Sequence, residues 1–279
     1  MTALARISGP NGPYWVVRRA QGSSRLGTGL AELLGMPLSE ARSAIEAAGG
    51  VIDDPGPTRA PTDDQEIWAA GVSYLRSRDG RIEESSAGSI YQQVYEADRP
   101  ELFFKAAPGR SVGDGADVGI RADSSWNVPE AELAVVINAH GEVFGYTIGN
   151  DMSSRSIEGE NPLYLPQAKV YEASCALGPE IVAAWDAPEF PLGIRMSVER
   201  DGAEVFSGET STASLARSIP ELVDYLRAAM DFPAGVILLT GTGIVPEADF
   251  TLSDGDLITI AIDGLGELHN RVRTIGRRP

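Results

Sequence analysis

A β-rich α+β fold follows from three features of this 279-residue chain. From about position 66 onward, short runs of β-type composition recur, each cut off by Gly, Pro or Asp: ELAVVIN, EVFGYTIG, IRMSVERDG, AEVFSGE, GVILLTGTG and DLITIAIDG. Helical periodicity is confined to a few places. Strands and helices do not alternate as a repeating βαβ fold requires, and there is no internal repeat.

YWVVRR at 14–19 reads as a strand. PLSEARSAIEAAG at 37–49 has the apolar spacing of a helix, with Ser39 as its start signal. The Pro- and Asp-rich stretch DDPGPTRAPTDDQ at 53–65 reads as a linker. This predicts a small N-terminal α/β domain over residues 1–62 and a larger domain over 66–279. Within the larger part, IRMSVERDGAEVFSG is a hairpin turning at Asp201-Gly202, because two residues with positive φ match the twist of the flanking strands. SIPELVDYLRAAM supplies a helix over 219–230, with Ser218 as N-cap and Pro220 in the first turn.

Composition narrows the function. Forty acidic against twenty-three basic residues give a formal charge of −17, which repels phosphate backbones and anionic lipid heads, so neither nucleic acid nor a membrane is expected as a partner. The single cysteine, Cys175, cannot form an internal disulfide and, in the apolar context SCALGP, reads as a core thiol. The N-terminus lacks the apolar core of a signal peptide and no run is long enough to cross a bilayer, so a cytoplasmic location is expected. His140 and His269 fit no zinc spacing, and neither a phosphate-binding loop nor a G-x-S-x-G elbow is present.

The run NVPEAELAVVIN carries the chemistry. Side chains alternate along a strand, so Glu130 and Glu132 share one face while Ala131, Leu133, Val135 and Ile137 take the other. If His140 and Gly141 form the turn that follows, position 139 faces 142 and 130 faces 151, which brings Asp151 of GYTIGND beside the two glutamates. Three carboxylates at that distance repel one another unless a cation neutralises them. All-oxygen ligation favours a hard ion, Mg²⁺ or alternatively Mn²⁺.

These segments, together with FFKAAP, GVSY at 71–74, LTGTG at 239–243 and DGDLITIAIDGLGELHNRV at 254–272, resemble the fumarylacetoacetate hydrolase family over about positions 66–275. The resemblance implies that family's rolled mixed β-structure, with Glu130, Glu132 and Asp151 as metal ligands and assembly as a homodimer or homotetramer. It further implies roles for Lys169 near the metal, for Arg155 on a substrate carboxylate or a metal ligand, and for Thr242 near the substrate's carboxylate. A desolvated lysine beside a cation loses its proton more easily, so Lys169 can serve as a general base.

One departure decides the reaction class. Hydrolytic members carry N-Y-x-x-H-x-x-E, whose His and Glu activate water; here Ser77 and Gly80 stand at those positions and Ser73 replaces the asparagine. The run EGENPLYLPQAK instead resembles the subgroup that dehydrates 2-keto-3-deoxy-pentonates derived from D-arabinonate or D-xylonate, forming 2-oxoglutarate semialdehyde. On that reading Lys169 takes a proton from C3 and Glu84 assists departure of the C4 hydroxyl. Arg155, Thr242 and Ser73 bind the 2-oxo sugar acid. The alternatives are acylpyruvate hydrolysis or oxaloacetate decarboxylation on the same cradle, or a non-catalytic sugar-acid binding protein.

Overall fold

Residues 1–52, 56–76 and 88–277 are described by the structure, a computed structural model. In chain order the strands are β1 Ala3–Ile7, β2 Tyr14–Arg19, β3 Gly22–Arg25, β4 Val51–Ile52, β5 Thr58–Arg59, β6 Glu66–Gly71, β7 Glu101–Ala106, β8 Asp117–Arg121 and β9 Asn127–Val128. They continue as β10 Ala131–Ile137, β11 Val143–Asp151, β12 Ser153–Ser154, β13 Cys175–Ala183, β14 Gly193–Arg200, β15 Ala203–Ser211, β16 Val236–Leu239, β17 Leu257–Ile262 and β18 Gly266–Ile275. The short helices are peripheral, and among the described residues none is long and apolar enough to cross a membrane. The β-rich α+β class is as the sequence predicts.

Eleven strands form one mixed sheet in the order β4-β3-β2-β1-β13-β11-β10-β16-β6-β7, with β5 beside β1. A second sheet runs β15-β14-β17-β18-β8. β10 lies mid-sheet and is buried along its whole length, which accounts for its near-continuous apolar sequence. Its two faces enter different cores. Ala134 and Val136 pack with Leu30, Leu33, Leu34 and Ile45 from the N-terminal helices Leu30–Gly35 and Leu38–Glu46. Ala131 and Leu133 meet Ile194, Val198 and Ile260 of the second sheet, and Val135 and Ile137 meet Leu222 and Leu226 of the helix Ile219–Arg227.

The expected small N-terminal domain of residues 1–62 holds β1 to β5 and two helices, and β1 pairs with β13, so its sheet is continuous with that of the larger part. The stretch expected as a linker is partly structural. Thr58 and Arg59 pair with β1, and the Asp63 carboxylate accepts from the Trp15 indole at 2.9 Å and the Leu30 amide at 2.7 Å. Ser39 falls inside its helix rather than capping it. The Asp201-Gly202 turn, with φ of 52° and 80°, and the Ser218 cap, accepting from Glu221 N–H at 3.3 Å, are as expected.

Candidate metal centre

Three β-elements and one short helix build the site. Glu130 and Glu132 stand at the start of β10 and Asp151 ends the adjacent β11. The two strands pair Ala131 with Asn150 and Glu132 with Gly149, and Asp151 N–H donates to the Glu130 main-chain oxygen at 3.0 Å, so 130 does face 151. The turn itself differs from the expected one. Asn138 pairs with Glu142, and the Asn138 side-chain oxygen accepts from the amides of His140 at 3.0 Å and Glu142 at 2.8 Å. A register shift between Val136 and Ile137 absorbs the extra residue.

One ligand oxygen from each of Glu130, Glu132 and Asp151 lies within 4.8 Å of the others, and all three residues are buried. Burial, then the charges of Asp151 and Glu130, push the Glu132 carboxyl well above the usual carboxylate range, while Lys169 and the Gly241 N–H pull it down. Such a cluster suits a hard divalent cation. It offers oxygen donors alone, and its mutual repulsion is relieved by added positive charge.

Buried cations brace this cluster. Lys169, at the end of the helix Leu165–Lys169, directs its Nζ to Glu130 Oε2 at 2.6 Å, Asp151 Oδ2 at 2.9 Å and Ser153 Oγ at 2.5 Å. Arg155 donates from Nη2 to Glu130 Oε1 at 2.8 Å. Lys105 on β7 is fully buried, forms an ion pair with Asp151, and donates to the main-chain oxygens of Met152 at 3.0 Å and Lys169 at 2.6 Å. Its place in FFKAAP, a charge among apolar neighbours, is the one signal in the sequence that pointed to it.

Gly241 follows β16 and donates its N–H to Glu132 Oε2 at 2.6 Å. Its φ of +91° favours glycine, and a Cβ there would collide with Ser73 Oγ and meet the Ala70 carbonyl at 3.0 Å. Thr242 lines the cleft, while its Oγ1 accepts from the Ile244 N–H at 3.1 Å. Ser73, expected to bind substrate, donates its hydroxyl to the Thr240 carbonyl at 2.6 Å and so ties the segment after β6 to that after β16. Glu84, with Ser77 and Gly80, lies outside the described residues.

The cleft is walled by Glu130, Glu132, Asp151, Lys169 and Thr242, together with Glu101, Phe103, Glu158 and Leu165. Glu101 and Glu158 escaped the sequence reading because single acids look like surface groups in so acidic a chain.

Residues 66–273 match the family model described as fumarylacetoacetate (FAA) hydrolase C-terminal. The chain is 49% identical over 229 residues to a protein of Haloferax volcanii named "probable 2-keto-3-deoxyxylonate dehydratase", covering 81% of this chain and 79% of that protein. It is 44% identical over 218 residues to the 2-dehydro-3-deoxy-D-arabinonate dehydratase of Saccharolobus solfataricus, covering 76% of this chain and 73% of that protein. The fold superposes with a TM-score of 0.88 on a 2-keto-3-deoxy-D-arabinonate dehydratase complexed with magnesium and 2,5-dioxopentanoate, at 34% identity, over 99% of this chain and 100% of that one.

Proposed function

Because this chain belongs to the fumarylacetoacetate hydrolase family, we propose that it is a magnesium-dependent hydro-lyase acting on 2-keto-3-deoxy-pentonates and releasing 2-oxoglutarate semialdehyde. The observation that carries the reading is the braced carboxylate triad in a cleft whose chain has Ser77 and Gly80 in place of the hydrolytic His and Glu. Without that dyad, water lacks a base worth about 10²–10⁴-fold, whereas an elimination needs only a proton acceptor and a path for the leaving hydroxyl.

Glu130, Glu132 and Asp151 would hold the metal. When bound, it supplies Lewis-acid stabilisation of negative charge on a chelating 2-oxo acid. The rest falls to the chain. Lys169 takes the C3 proton. The C4 hydroxyl departs with a proton from Glu84, leaving a C3–C4 double bond. A proton then leaves C5 and one is returned to C3, which moves the double bond to C4–C5. The resulting enol gains a proton at C4 as its hydroxyl loses one, giving the C5 aldehyde for a net loss of one water. Thr242 contacts the substrate's carboxylate, and Arg155 keeps Glu130 in place. A cytoplasmic homodimer or homotetramer completes the reading.

A second assignment of the base is favoured by the three acceptors around Lys169 Nζ, since an ammonium so held has no lone pair to offer. Glu101, in the cleft wall at the start of β7, can then take the proton while Lys169 balances Glu130 and Asp151. Loss of C3 hydrogen–deuterium exchange on 2-oxovalerate, which has no hydroxyl to lose, separates the two: Lys169→Ala abolishes it under the first, Glu101→Gln under the second. For the reaction itself, a panel of 2-keto-3-deoxy acids is assayed with and without chelator. Chelator-sensitive dehydration is expected, and turnover indifferent to chelation rejects the reading. Oxaloacetate decarboxylation without dehydration favours the alternative activity.

A further inference from the structure

Gly71 opens the GVSY segment and ends β6, where it pairs with Glu101 at the start of β7. Both residues line the cleft that holds the triad. Glu101 and Phe103 share a face of β7 by alternation, and the centre of the Phe103 ring lies 5.6 Å from Lys169 Nζ, so this face looks toward the buried lysine.

The gap at Gly71 is filled by Glu101. A Cβ at position 71 would collide with Glu101 Oε2 and meet its Cδ at 2.6 Å and its Cγ at 3.2 Å, so the three nearest atoms all belong to one side chain. Directly opposed residues of an antiparallel pair ordinarily stand side by side. Here one member has no side chain, and the other lies across the space it leaves. Gly71 is not among the glycines with a positive φ, so its backbone suits any residue and what the glycine supplies is room. A glycine within a strand weakens it relative to alanine, so this room comes at the expense of stability.

Resting on the assignment of the C3 proton to Glu101, we propose that Gly71 is a positioning residue: the gap it leaves seats the Glu101 carboxylate in the cleft wall, within reach of the proton it takes. In that step the C3 proton passes to a Glu101 oxygen, while the C–H electron pair stays on the 2-oxo acid as its enolate. In D₂O the same oxygen, once exchanged with solvent, returns a deuteron. A methyl group at 71 displaces the carboxylate. Because the atoms it meets belong to a flexible side chain, the backbone and the triad keep their places.

Hydrogen–deuterium exchange at C3 of 2-oxovalerate is followed by proton NMR in D₂O with Mg²⁺, on the full-length wild type, Gly71→Ala and Glu101→Gln. Mg²⁺ affinity by calorimetry and the thermal midpoint are recorded for each. In Gly71→Ala the saturated exchange rate is expected to fall by about tenfold to a hundredfold, the scale of a slightly misplaced reacting group. The half-saturating concentration of 2-oxovalerate and the Mg²⁺ affinity should stay at their wild-type values, and the midpoint should be equal or higher. Glu101→Gln should abolish exchange. An undiminished rate in Gly71→Ala overturns the proposal. So does a loss accompanied by a lower midpoint, weaker Mg²⁺ binding or a raised half-saturating concentration, which marks a structural or binding role. Full exchange in Glu101→Gln overturns the base assignment and the proposal with it, whereas lost exchange in Glu101→Gln beside an undiminished Gly71→Ala overturns the proposal alone. A wild type that exchanges nothing rejects the 2-oxo acid reading beneath both.

Discussion

Lys105 holds Lys169 from behind: its Nζ donates to the Lys169 main-chain oxygen at 2.6 Å, while the Lys169 side chain reaches forward to Glu130 and Asp151. The rear lysine also forms an ion pair with Asp151. One buried residue thus positions a proposed catalytic group and balances the Asp151 carboxylate.

Replacing Lys105 with Met keeps the length of the side chain but leaves Asp151 without this partner. Removing one member of a buried ion pair costs about 3–5 kcal/mol, so chemical denaturation should show a loss of that order. Mg²⁺ should recover part of it by supplying positive charge to Asp151. A variant as stable as wild type without metal would show that the pair is energetically neutral.

Glu132→Gln has the opposite sign in the metal-free protein. Burial and the neighbouring carboxylates disfavour the charge on Glu132, so a neutral amide that can still accept from Gly241 N–H should leave the metal-free protein as stable or more so. The rise in thermal midpoint on adding Mg²⁺ should disappear. Differential scanning calorimetry with and without Mg²⁺ reads both effects.

The raised Glu132 carboxyl also fixes a pH dependence. A metal ligand must be deprotonated, so Mg²⁺ displaces a proton wherever the metal-free carboxyl is still protonated. Affinity should climb with pH until the raised value is passed and then level off. In the same interval the metal-free protein should lose stability as pH rises, because the unfolded chain gives up that proton more readily. Titrations in buffers of different ionisation enthalpy count the protons released; none released at mildly acidic pH would contradict the assignment.

Gly241→Ala tests the backbone donor. A Cβ at φ +91° cannot fit against Ser73 and the Ala70 carbonyl, so the segment must shift and weaken the N–H bond to Glu132. Loss of a hydrogen bond to a charged group predicts about tenfold or more weaker Mg²⁺ binding, measurable by calorimetry.

Cys175 pairs with Asp151 across β13 and β11, yet burial pushes its thiol up to about 12. The folded protein should resist iodoacetamide in mildly alkaline buffer and react only on unfolding, as mass spectrometry would show. Rapid alkylation of the native protein would place the thiol elsewhere.

The triad was legible because strand alternation and one hairpin count suffice to bring Glu130, Glu132 and Asp151 together. The turn was displaced by one residue, since the Asn138 side chain closes it and a bulge restores the register, and neither leaves a mark on apolar alternation. The helices Arg155–Glu160 and Leu165–Lys169 were missed for a different reason. Segments of 6 and 5 residues are too short to display helical periodicity; Ser154 caps the start of the first, whereas the second begins at Tyr164 with no side-chain cap. Lys105 was half legible: apolar flanks announce burial, but its partners are 46 to 64 positions away in sequence.

The parallel pairing of β16 with β6 decides when during synthesis the cradle can close. Both glutamates and Asp151 leave the ribosome well before Gly241, whose amide Glu132 requires, and before Thr240, to which Ser73 is tied. Until then the nascent chain carries three clustered acids without that support, and contacts of such sequence separation form late. A truncated product ending before the final third of the polypeptide would therefore keep Glu130, Glu132 and Asp151 and still lack the amide that supports Glu132.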